Sequence, residues 1–281
     1  MIFSDKDMCV RLQTQGELAI GRSNRSFPIP DPDDDPHRLM VKMRSLEFQT
    51  KGGNTLSRVN WEERKAAAFH LDPWEADELE GIRAQGRRMW DNVPQMGTRV
   101  TVRAYLFARS GVITSLGDIR VDKGDVKIEL EIDELQCVDC DGVQFVQIKA
   151  TVTGSSSIVI RDKKTFGKIL QFGGGASVWL PNKRFTGDDA KTKVDVRTER
   201  AADGANSAVV TVRLSLVPAR HALYSLLVKP ARATPPSASD PGDWADSTSH
   251  RHNSPGGAQL SQSAGRFAVV LCLCATIMFL W

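Results

Sequence analysis

The sequence predicts a mainly β protein: an antiparallel β-sandwich or jelly roll with an N-terminal helical extension and a C-terminal apolar tail. Three observations predict it. Residues 97–229 alternate apolar and polar side chains at period two. Glycine-bearing turn signals interrupt the alternation. No helix-length segment separates the runs, which disfavours a parallel α/β sheet.

Residues 1–56 read as an irregular region that contains a linker. Ser26 to Pro36 holds four prolines and four aspartates in eleven residues, which neither a helix nor a central strand tolerates. Residues 57–96 read as a helical hairpin. Asn60 followed by Glu63 is a capping-box pattern, and Asp72-Pro73 is a second helix start. Glu75, Asp77, Glu78 and Glu80 precede Arg83, Arg87 and Arg88, an order that suits the helix dipole. Trp74, Leu79, Ile82 and Met89 supply an apolar stripe, while Gly81 and Gly86 weaken the helix.

The β-rich region spans 97–229. Val100, Val102 and Ala104 alternate with Thr101 and Arg103; Val126, Ile128, Leu130 and Ile132 alternate with Lys127, Glu129 and Glu131. Val143 to Val152 and Val209 to Val217 continue the pattern. Asp122-Lys-Gly124, Asp141-Gly142, Gly173 to Gly175 and Asp203-Gly204 mark turns. Residues 230–266 are rich in Pro, Ala, Ser and Gly without periodicity and read as a disordered linker.

Residues 267–281 carry no charge. As a helix they would span about 22 Å, short of a bilayer core of roughly 30 Å. Phe267, Leu271, Leu273, Ile277, Phe279 and Trp281 make this a membrane-seeking tail, either a tail anchor or an interfacial segment. Gly256-Gly257-Ala258 followed by a polar spacer also fits a GPI-attachment signal. Met1 to Asp7 already carries charge and no apolar run follows it, so the N-terminus does not read as a secretory signal peptide.

Net charge is +3, which permits contact with nucleic acid or an anionic membrane without demanding either. Five cysteines, two of them in the tail, make a poor disulfide framework and suggest a reducing compartment for the folded region. Cys137-Val-Asp-Cys140 has the spacing of half a zinc knuckle but lacks a second Cys/His pair, so no metal site is expected. No nucleophile elbow, P-loop, His-Glu-x-x-His or dinucleotide fingerprint occurs. The chain is therefore expected to be non-enzymatic, with no catalytic residue and no cofactor.

One stretch carries a more specific pattern. A strand from Ser157 runs into Asp162, Lys163 and Lys164; then come Pro181-Asn182, Thr186 and Asp189-Ala190, followed by the strand from Val209. This resembles the core of the 30K superfamily of plant-virus cell-to-cell movement proteins, whose tobamovirus-type members run a strand into Asp-Lys-Arg and then carry Pro-Asn-aromatic and Thr-x-x-Asp-Ala. Lys183 stands here where the family has an aromatic residue, and Leu116 to Arg120 offers a second register for the Asp-x-Arg motif. The resemblance implies a β-domain that binds single-stranded nucleic acid without sequence preference, acts at membranes and plasmodesmata, and lacks a catalytic site. Lys163, Lys164, Lys183 and Arg184 are the candidate phosphate contacts. Asp162, Pro181, Asn182, Thr186 and Asp189 are the structural positions of the motif. Lys149, Arg161, Lys168, Lys191, Lys193 and Arg197 add cations nearby, while Asp125, Glu129, Glu131, Asp133 and Glu134 dilute them. The expected partners are single-stranded nucleic acid and, through the tail, a membrane, with the soluble domain cytoplasmic; homo-oligomerisation is compatible. Two alternatives stand beside this reading: a tail- or GPI-anchored sandwich that binds a protein partner, and a viral coat or matrix protein.

Overall fold

The structure is a computed structural model that describes residues 3–5, 8–14, 16–21, 38–63, 69–136, 142–185, 191–202, 204–216 and 221–231. In chain order the first strands are β1 (Phe3–Asp5), β2 (Met8–Gln13), β3 (Glu17–Gly21), β4 (Leu39–Gln49), β5 (Thr55–Asn60), β6 (His70–Leu71) and β7 (Glu75–Leu79). The middle strands are β8 (Ile82–Val93), β9 (Thr98–Phe107), β10 (Gly111–Ile113), β11 (Ile119–Val121), β12 (Val126–Ile132), β13 (Phe145–Gly154) and β14 (Val159–Lys163). The last are β15 (Gly167–Gln171), β16 (Ser177–Pro181), β17 (Lys183–Phe185), β18 (Lys191–Lys193), β19 (Asp195–Arg200), β20 (Ser207–Ser215) and β21 (Ala222–Lys229). All belong to one compact unit, Met1–Ser237.

The chain is mainly antiparallel β. One large sheet runs β1-β2-β3-β4-β13-β20-β19, with β5 also on β4. The other runs β14-β15-β16-β21-β12-β9-β8-β6, with β7 also on β8. Their inner faces share one apolar core, to which Leu46, Phe48, Val146, Ile148 and Val212 come from the first sheet and Met89, Val102, Leu130, Leu180 and Tyr224 from the second. This is a sandwich-like arrangement, and alternation explains it directly: in β12 the even-numbered Ile128, Leu130 and Ile132 face the core, and the odd-numbered Lys127, Glu129 and Glu131 face outward. An apolar void of about 50 Å³ remains between the sheets beside Met43, Ile128 and Tyr224.

A smaller second core lies on the outer side of the second sheet. The β10–β11 flap covers it, and Ile113, Leu116 and Val121 pack there on Ile82, Ala84, Tyr105, Phe107 and Leu227. A charged network fastens the flap. Lys127, whose side chain is 2% exposed, donates to Ser115 Oγ at 3.0 Å and pairs with Glu129 at 2.8 Å. Glu80 accepts from the Thr114 N–H at 2.6 Å and Oγ1 at 2.7 Å, and from the Ser115 hydroxyl. Burial pushes the Glu80 carboxyl up, but these hydrogen bonds outweigh it and hold it below its ordinary value.

The helical hairpin expected over 57–96 is corrected. Among the described residues this stretch forms β5, β6, β7 and β8, and its only helical piece is a single 3₁₀ turn at Pro94–Met96. The cause is a strand with two buried faces. Met89 and Val93 face the main core, while Ile82 and Ala84, of opposite parity, face the flap core. Apolar residues on both parities mimic helical spacing. Gly81 is no weak point of a helix: Glu80 and Gly81, at φ 51° and 76°, form the two-residue turn between Leu79 and Ile82. Asn60 does cap, but its Oδ1 accepts from the Glu62 N–H at 3.1 Å and ends a strand.

The irregular reading of 1–56 is corrected in the same way. β2, β3 and β4 form consecutive antiparallel pairs, and β4 then pairs along its length with β13. The strands expected at 100–104, 126–132, 143–152 and 209–217 correspond to β9, β12, β13 and β20. The Pro/Asp-rich segment 26–36, the Cys137/Cys140 pair, residues 232–266 of the expected linker and the whole tail lie outside the described residues. No helix among the described residues is long and apolar enough to cross a membrane.

Candidate nucleic-acid interface

β14 and β15 pair as a hairpin in which Asp162 stands opposite Lys168 and Lys163 opposite Gly167. The Phe166 N–H donates to the Lys163 carbonyl at 3.1 Å and closes the turn, leaving Lys163, Lys164 and Thr165 exposed. Gly167 is obligatory: at φ 141°, a Cβ there would lie 2.2 Å from the Leu180 carbonyl oxygen and 2.7 Å from the Asn182 nitrogen. That close approach lets the turn lean on the end of β16.

Asn182 is the junction. Its N–H donates to the Phe166 carbonyl at 2.7 Å, and its carbonyl accepts from the Val194 N–H at 2.8 Å. Pro181 beside it is buried, and its carbonyl accepts from the hydroxyl of fully buried Tyr224 at 3.1 Å. Burial pushes the Tyr224 phenol far above its ordinary range, so it remains a donor. The first residue after this junction, Lys183, is exposed and stands opposite Lys193 in the β17–β18 ladder. Arg184 follows on the same backbone, opposite Thr192.

The structure therefore brings Lys163, Lys164 and Lys183 to one end of the second sheet. All three are exposed, and none of the three forms an ion pair among the described residues. Asp162 sits at the edge of the group with its side chain 76% exposed and pairs with Lys168 at 2.7 Å. Thr186, Asp189 and Ala190 lie outside the described residues, as does the side chain of Arg184. The alternative motif at Leu116 to Arg120 is the tip of the flap, where Leu116 is buried in the second core.

Other cations noted in the sequence lie elsewhere. Lys149 is on the outer face of the first sheet, 3.4 Å from Glu47, and Arg197 pairs with Asp195 at 3.0 Å. Three of the five acidic residues that dilute the charge in sequence are held in ion pairs with other cations. Glu129 pairs with Lys127, Glu131 with Arg103 at 3.3 Å, and Asp125 with Lys229 at 3.6 Å.

A polar cleft missed in the sequence opens on the outer face of the second sheet, with a volume of about 340 Å³ between Asp72, Asp77, Gly86, Arg88, Arg103 and Tyr105. Arg88 donates to Asp72 at 2.5 Å and holds that carboxyl below its ordinary value. Burial pushes the Tyr105 phenol up. Its residues come from the β6–β7 connection and from β7, β8 and β9, so a helical reading of 57–96 disperses them. Among the described residues no group of three His, Cys, Asp or Glu side chains could hold a metal ion. Compared with known proteins, the chain matches no family model and no curated sequence.

Proposed function

We propose that this protein is a non-enzymatic sandwich module that holds single-stranded nucleic acid by its phosphates and is brought to a membrane by its apolar tail, in the manner of the movement proteins it resembles. The observation that supports the nucleic-acid reading is the gathering of Lys163, Lys164 and Lys183 at one end, exposed and without ion-pair partners among the described residues, with Lys193 across the ladder. Lysine suits this role because a flexible point charge follows a backbone without needing base geometry. A jelly-roll connectivity, drawn from the alternation and turn spacing, and a cytoplasmic sandwich, drawn from the sparse cysteines, belong to the same proposal; a plasmodesmal location rests on the resemblance alone.

The test is binding of the full chain to a labelled single-stranded oligonucleotide over a salt series. Affinity falls as salt rises, with a slope of about 0.7 per phosphate contact. Alanine at Lys163, Lys164, Lys183 and Arg184 together lowers both affinity and slope for every sequence tried. Unchanged affinity in that variant removes the reading. An anchored sandwich with a protein partner then takes its place. The feature that favours this second reading is β14, an edge strand whose Val159 is 50% exposed.

A further inference from the structure

We propose that a cleft on the outer face of the first sheet, built around Arg213, is a phosphate-binding pocket. β20 places Arg213 in register between Gln147 of β13 and Asp195 of β19. Its guanidinium lies over the Phe145 ring, 4.0 Å from the centroid. Its Nε and Nη2 are shielded from solvent and have no hydrogen-bond partner among the described residues.

The polar side chains around Arg213 do not reach its Nε and Nη2. Asp195 stands opposite it, but Oδ2 of Asp195 accepts from Arg197 Nε at 3.2 Å and pairs with Arg197 Nη2 at 3.0 Å. Gln147 and Gln49 each donate Nε2 to Glu47 Oε2 at 3.2 Å. A buried donor without an acceptor is unfavourable, and native structures hold few of them without a reason. The planar guanidinium rests on Phe145 with its donor fork unspent, the arrangement that suits a tetrahedral oxyanion.

The space is there for one. Arg213, Arg197, Asp195, Thr211, Gln147 and Gln49 border a cleft of about 220 Å³. Asp195 is a carboxylate on the wall and Arg197 neutralises it, which leaves the charge of Arg213 for the ligand. Thr211 also lines the cleft and carries a hydroxyl able to donate. A phosphate in the cleft takes these donors by sliding the guanidinium along the Phe145 ring toward the opening that Arg213 already lines. The phosphate can be free, or it can belong to a nucleic-acid backbone, because β19 begins directly after Lys193 and Val194. The pocket stands on its own geometry and does not need the lysine end of the other sheet.

The experiment measures thermal unfolding of the full chain with inorganic phosphate against sodium chloride at matched ionic strength. Phosphate raises the midpoint of the wild type. Arg213→Gln abolishes the rise, Arg213→Lys retains part of it, and alanine at Lys163, Lys164 and Lys183 leaves it whole. If Arg213→Gln fails to fold, Phe145→Leu decides: it keeps the charge, unseats the stack and weakens phosphate by about tenfold, the scale of one charge-assisted hydrogen bond. A rise matched by chloride, or one kept in both Arg213→Gln and Phe145→Leu, overturns the pocket. Oligonucleotide affinity in Arg213→Lys identifies the source: a fall assigns the pocket to a backbone phosphate, and no change to a free one.

Discussion

Lys127 pairs with Glu129 at 2.8 Å from a side chain only 2% exposed, and Glu80 lies 3.9 Å away on its other side. A fully buried ammonium is tolerated because two carboxylates and the Ser115 hydroxyl surround it. Removing it strands Glu129, while Glu80 keeps its bonds from Thr114 and Ser115. Lys127→Ala is expected to cost about 3–5 kcal/mol, the usual result of breaking a buried pair on one side. Lys127→Met, which refills the volume, is expected to cost less. Urea unfolding midpoints of the two variants check the order.

The flap gives stability an acid limb. The Glu80 carboxyl titrates below its ordinary value of 4.5, so the folded state favours the ionised form. Its contribution is complete above the unfolded-state value and fades as pH falls through the lower folded-state value. Glu80→Gln is therefore expected to lower stability at neutral pH and to flatten the loss between neutral pH and the acid limb. Unfolding midpoints at neutral and acid pH, compared between wild type and variant, read both effects. Equal slopes count against the flap clamp.

Gly167→Ala tests the junction below the lysine end. The new Cβ meets backbone oxygen and nitrogen of β16 and its exit, neither of which can move as a side chain does. The expected cost is about 2–4 kcal/mol, at the high end for single substitutions. Gly53→Ala is the control. Gly53 also has positive φ, 85°, but a Cβ there would have nothing within 4 Å, so only the conformational cost of about 1 kcal/mol remains. Thermal unfolding distinguishes them.

Asp162→Ala is expected to change stability by less than about 0.5 kcal/mol, because its pair with Lys168 is solvent-exposed. At a strand end an aspartate holds a turn or pairs with a neighbouring cation, and Asp162 pairs with Lys168. Losing one negative charge beside Lys163 is expected to leave oligonucleotide affinity equal or higher. A fall in affinity would show that Asp162 positions the lysines.

Tyr224→Phe removes the hydroxyl that ties the core to the Pro181 carbonyl. The expected cost is about 1–2 kcal/mol, since the carbonyl is left unpaired in a buried place. Denaturant titration checks it.

The legible part of the fold is the part where one face is buried and the other is wet. β9, β12, β13 and β20 show clean alternation, and period two identifies them. β8 hides because the flap buries the outward parity of Ile82 and Ala84 while the core buries Met89 and Val93. β4 hides behind a run of near-continuous burial toward its end, from Ser45 to Gln49, which alternation does not signal. At the lysine end, charge type and chain position were readable. The contact that gathers them was not, since the Asn182 to Phe166 bond is a backbone link whose only sequence trace is Gly167. Arg213 left no trace at all: on an alternating strand it reads as an ordinary outward cation, and only the diversion of Asp195 to Arg197 exposes its unspent donors.

The pairing of β4 with β13 sets Val41 opposite Val152. During synthesis β4 therefore leaves the ribosome long before its neighbour is made, with a hydrogen-bonding edge and an apolar face both open. Non-local pairing of this kind slows folding, and the half-made chain is the species most exposed to association with other chains. Nascent β4 is the segment for which a chaperone that shields strand edges would matter most, and slowing translation between β5 and β13 would lengthen its exposure rather than help it fold.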